Sequence, residues 1–93
     1  MTKTNGGISP AAAAEIARAM LTDAVGLLRE SGFANIRFDQ WEHPTTKVMV
    51  ETGYTYGETR LTVHDGGEVS DLRLTGRSSR EFNRFRRLAL AGM

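Results

Sequence analysis

Cysteine is absent from this chain of 93 residues. Disulfides, thiolate nucleophiles and zinc sites built on cysteine go with it. The absence suits a reducing compartment, and the expected localisation is cytoplasmic. Histidine is nearly absent too: His43 and His64 are the two, with no HxH or HExxH spacing and no carboxylate cluster around them. Neither a metal nor a cofactor is expected on that donor set. No apolar run approaches the roughly 18 residues that a membrane-spanning helix needs. The opening stretch MTKTNGGISP has no apolar segment of the signal-peptide kind, so no membrane role is expected. A dominant charge is also missing. Twelve Lys and Arg stand against 11 Asp and Glu, for a net charge of +1. Recognition of a charged partner must therefore come from local clustering.

Catalytic patterns are equally thin. Ser78 and Ser79 have no histidine near them in sequence and read as helix-capping residues. Gly6-Gly7 and Gly66-Gly67 do not sit between a strand and a helix with a following Lys-Ser/Thr, as a phosphate loop requires. No catalytic residue is assigned, and the chain reads as a non-enzymatic protein.

What is present is a clear succession of periods. Residues 1–8 are polar and glycine-containing and read as a flexible arm; residues 9–93 read as a single domain. Ser9 is a good N-cap, Pro10 suits the first helical position, and Gly32 supplies a left-handed stop after which Phe33 can fold back. Between them Ile16, Ala17, Met20, Leu21, Ala24, Leu27 and Leu28 fall on one helical face, with Glu15, Arg18, Thr22, Gly26 and Arg29 opposite. From residue 35 the period becomes two. NIRFDQWEH reads as one strand with Ile36 and Phe38 inward and Arg37, Asp39 and Trp41 outward. TTKVMVET places Val48 and Val50 inward, GYTYGE reads as a turn, and ETRLTVH places Leu61 and Val63 inward. DGG at 65–67 is a hairpin turn. EVSDLRLT places Leu72 and Leu74 inward, and the out-of-phase Val69 suggests a bulge near Ser70-Asp71. Ser78 followed by Glu81 forms a capping box that opens a final helix. The expected fold is α+β, in the order α-β-β-β-β-α. It is a four-stranded antiparallel meander with both helices packed on one face.

Two groups of residues stand out as contact candidates. In GRSSREFNRFRRLAL, residues 76–90, Arg80, Arg84 and Arg87 fall within about 60° of each other on a helix, away from Phe82 and Phe85. Arg77 and Arg73 lie just before it. Arginine suits bidentate recognition of phosphate or carboxylate, so these five predict an anionic partner: nucleic acid, a nucleoprotein complex or an acidic protein surface. The opening of this helix, GRSSREFNRF, is similar to the end of a double-stranded RNA-binding domain, which starts its final helix with basic residues after a glycine. That resemblance implies phosphate contact at Arg80. The family has three strands where four are read here, and its glycine-proline-histidine loop has no counterpart. The second group, Trp41 and Met49 on the open sheet face with Tyr54 and Tyr56 in the turn, suits an aromatic hot spot. It supports an alternative reading, a small inhibitor or adaptor of viral or mobile-element type acting on host nucleic-acid machinery. The open face or a free strand edge also offers a route to a homodimer.

Overall fold

The computed structural model describes residues 9–55 and 57–91; the arm expected over residues 1–8 lies outside them, as does Tyr56. Helix α1 spans Pro10–Glu30 and helix α2 spans Ser79–Leu90. Between them run β1 (Ala34–Arg37), β2 (Gln40–Glu42), β3 (Met49–Thr55), β4 (Glu58–Asp65) and β5 (Glu68–Thr75). The strands form one antiparallel meander in the order β1-β2-β3-β4-β5. The class is α+β, with five strands where the sequence reading counted four.

Helix α1 forms where its sequence marks it. Ser9 Oγ accepts from the Ala12 amide at 3.1 Å, and Pro10 occupies the first turn, where its missing N–H costs nothing. At the other end Gly32 adopts φ +93°. Its N–H donates to the Arg29 carbonyl, and that of Phe33 to the Leu28 carbonyl. This paired pattern is the Schellman stop, completed by the apolar contact of Phe33 with the last turn. Glycine is required here on two counts: the positive φ, and a Cβ that would meet His43 Nε2 at 3.2 Å.

The extra strand comes from the segment read as one. The chain reverses at Phe38-Asp39, between the paired residues Arg37 and Gln40, with Ile36 as an added bulge residue. The Asn35 side-chain amide donates to the carbonyls of Arg37 and Gln40 at 2.8 and 2.9 Å. The Asp39 carbonyl accepts from the Thr52 amide of β3 at 2.8 Å. Ile36 is left in the bulge and Phe38 in the turn, and β2 takes its facing from its pairing with β3, so the expected facing is inverted. Trp41, placed outward by the sequence, is 5% exposed and sits opposite Val50. Ile36 and Phe38, placed inward, are 51% and 89% exposed. Lys47 is corrected as well: it lies in the turn before β3, with φ +65°.

Beyond this hairpin the period of two holds. Val50, Leu61, Val63, Leu72 and Leu74 are buried on one sheet face. With Ala24 and Leu28 of α1 and Phe85 and Ala89 of α2 they form a single core. Burying each large side chain contributes roughly 1.5–3 kcal/mol relative to leaving it in water. Polar bonds fix how α1 lies on this face: buried Thr59 donates to the Ala17 carbonyl at 2.7 Å, and Tyr54 Oη to the Ala14 carbonyl at 3.2 Å. The expected bulge in β5 is absent, since β4 and β5 pair without a register shift from Glu58↔Thr75 to Asp65↔Glu68. Val69 is simply a valine on the solvated face, 62% exposed. The capping box is also replaced. Ser78 Oγ accepts from the Thr75 amide at 3.0 Å and bonds the Thr75 hydroxyl, so it closes the β5–α2 turn and makes no cap bond to α2.

Candidate functional site

The arginines of α2 are positioned by its helical period. Phe85 and Ala89 are buried against the sheet, and the opposite side of the helix carries Arg80, Arg84 and Arg87, all exposed. The three span about 10 Å of helix axis. Among the described residues Arg84 alone of them has an acidic neighbour, Glu81 Oε1 at 4.0 Å, a separation at which an exposed pair contributes little. Arg77 is exposed in the turn between β5 and α2. Arg80, Arg84 and Arg87 form one basic stripe, with Arg77 in the turn just before it.

Arg73 does not belong to that surface. In β5 it alternates with Leu72 and Leu74, whose side chains face the helices, so its own side chain is on the other face of the sheet. There it joins a polar ladder built across strands. Arg60 grips Asp71 with two hydrogen bonds, 3.1 and 2.8 Å, and Thr62 adds a third at 3.4 Å. His64 Nε2 meets Glu51 Oε1 at 2.8 Å, and the Gln40 amide donates to Glu51 Oε2 at 3.1 Å. These bonds hold both carboxyls below the ordinary range: the bond from His64 is the main cause at Glu51, and the bond from Arg60 at Asp71.

The second predicted group is broken up. Met49 lies half-buried on the open face, paired with His64 and Glu42. Trp41 lies in the core, its ring beneath the Arg29 guanidinium at 5.3 Å. Tyr54 is not in a turn, because β3 continues to Thr55. It sits on the helix-facing side of the sheet, with Arg18 over its ring at 5.6 Å. Tyr56 lies outside the described residues. Trp41, Met49 and Tyr54 therefore form no common patch.

Two features were missed by reading the sequence. One is a groove of about 350 Å³ between the helices, lined by Asp23, Gly26, Leu27 and Glu30 of α1 and by Phe82 and Arg86 of α2. Gly26 on the polar side of α1 was its one visible trace. The other is the set of apolar side chains exposed by the β1–β2 hairpin, whose turn has no glycine and only Asp39 to announce it. Among the described residues no group of His, Asp and Glu is arranged to hold a metal ion, and no helix is long and apolar enough to cross a membrane. No family model, curated protein or solved structure matches the chain.

Proposed function

We propose that this protein is a non-enzymatic binding module that engages nucleic acid, alone or within a nucleoprotein complex, through Arg77, Arg80, Arg84 and Arg87. The observation that carries this reading is the stripe on α2. Arg80, Arg84 and Arg87 share the solvent side of a short helix with Asn83, and its other side is anchored in the core, in a chain with a net charge of only +1. The planar guanidinium fork loses less freedom per hydrogen bond to phosphate than a lysine ammonium does, and each contact releases condensed counterions. Arg73 takes no part, being on the opposite side of the sheet. The inhibitor or adaptor reading has less support, because it needs Trp41, Met49 and the tyrosines on one surface.

The test is salt-dependent binding to a labelled duplex, followed by anisotropy. Three phosphate contacts give a log–log slope near −2 to −3. Each of Arg80→Ala, Arg84→Ala and Arg87→Ala lowers that slope by about one contact and leaves the melting temperature nearly unchanged. No binding at about 50 mM salt, where phosphate contacts are strong, rules this reading out.

A further inference from the structure

The two edges of the sheet are built differently. On one side β1 is four residues long and carries the Ile36 bulge, two devices that discourage pairing with another chain. On the other side β5 is eight residues long, unbroken in register, and free of proline. No strand among the described residues pairs with its outer edge. Such an edge is a template for a further strand.

The main-chain groups available there follow from the hairpin. The β4–β5 turn is two residues, Gly66-Gly67, closing on the pair Asp65↔Glu68. From that closing pair the alternation directs the main-chain groups of Glu68, Ser70, Leu72 and Leu74 toward β4 and those of Val69, Asp71, Arg73 and Thr75 outward. Thr75 is already satisfied. Its N–H donates to Ser78 Oγ at 3.0 Å, and its carbonyl accepts from the Ser78 amide at 3.2 Å. Among the described residues the free donors and acceptors are those of Val69, Asp71 and Arg73.

We propose that a second copy of this chain pairs with β5 antiparallel, about a two-fold axis through Leu72, and so joins two five-stranded sheets into one. This interface is distinct from the basic surface of α2 and does not depend on what that surface binds. Charge selects the register. Centring on Leu72 sets Asp71 opposite Arg73 of the second copy, and Arg73 opposite its Asp71, on the solvated face. Opposite charges directly across a strand pair are favourable there. Centring on Asp71 or on Arg73 would place like charges together, and centring on Ser70 would leave Asp71 against Val69. In the favoured register every outward main-chain group of Asp71 and Arg73 is paired. Arg73, which has no ion pair among the described residues, gains one. Asp71, gripped by Arg60 from β4, is then held from both sides.

Sedimentation equilibrium of the full chain up to about 1 mM tests this. The expected result is a reversible monomer–dimer equilibrium. Arg73→Asp sets carboxylates together at both symmetry-related positions and weakens the dimer at least about tenfold. Arg73→Pro removes an outward N–H without touching the β4 ladder and also weakens it. Arg37→Asp, on the blunted edge, leaves it unchanged. Circular dichroism checks that each variant is folded, and Arg73→Asp loses no bond within the chain. A wild-type protein that stays monomeric throughout overturns the proposal, as does a dimer indifferent to both Arg73 variants.

Discussion

At the scale of single residues, the facing of Trp41 and Phe38 is the sharpest result. A tryptophan that is 5% exposed, stacked under Arg29 and set in the core, is a packing residue. Trp41→Ala is expected to destabilise by about 3–5 kcal/mol, through lost burial and the cavity left behind. Phe38, at 89% exposure, has almost nothing to lose, and Phe38→Ser is expected to stay within about 0.5 kcal/mol of the parent. Urea unfolding followed by circular dichroism measures both, read as a change of midpoint at constant slope. A single strand from Asn35 to His43 would give the reverse ranking, so the pair of variants decides between the two backbones.

At the scale of elements, the solvated face of the sheet is tied across strands by Glu51, His64, Arg60 and Asp71. Glu51 lies below its ordinary value of 4.5 and Asp71 below its ordinary 3.8. A depressed carboxyl binds its proton less readily in the folded chain than in the unfolded one. Its contribution to stability is therefore present above the ordinary value and is lost as pH falls through the lowered one. The melting temperature is expected to decline once the pH drops below about 4.5, and to decline less steeply in the double variant Glu51→Gln, Asp71→Asn. Both groups are 40% or more exposed, so added salt should flatten the difference. Melts from neutral pH to about pH 3 at two ionic strengths check this. An acid limb identical in parent and variant would show that the ladder adds no stability.

At the scale of the whole molecule, the core is one cluster drawn from both helices and from β2, β3, β4 and β5. A core shared in this way predicts one cooperative transition at a fixed protein concentration. Trp41 is the sole tryptophan, so its fluorescence reports the β2 end of the core, while far-UV circular dichroism reports all elements. The two thermal curves are expected to coincide. A fluorescence change that precedes the loss of ellipticity would mark the β1–β2 hairpin as a separately melting unit.

What the sequence determined by itself lies within a few residues of its cause. Ser9, Pro10 and Gly32 delimit α1 through bonds that span three to five residues. The period of two gives the buried face of β3, β4 and β5, and the Gly66-Gly67 turn joins the last two; the ends of β3 fall outside this local reading, since Lys47 lies in a turn and the strand runs on to Thr55. The period of α2 places Arg80, Arg84 and Arg87 together for the same local reason. The remaining features were decided only in three dimensions. The turn at Phe38-Asp39 contains no glycine and neither residue has positive φ, so it lacks the usual two-residue hairpin signature, and Asp39 alone is a weak mark of reversal. It is held by the side chain of Asn35 and by a bond to Thr52, 13 residues further on. Once the chain turns there, Ile36 falls in the bulge and Phe38 in the turn, so both are exposed, while pairing with Val50 sets Trp41 in the core. The course of β3 to Thr55 was likewise not local: it puts Tyr54 in a strand, on the face opposite Met49, instead of in a turn. Alternation distinguishes a strand's buried face from its solvated one, but which residues of different elements end up side by side follows from how the strands pair and where the helices pack.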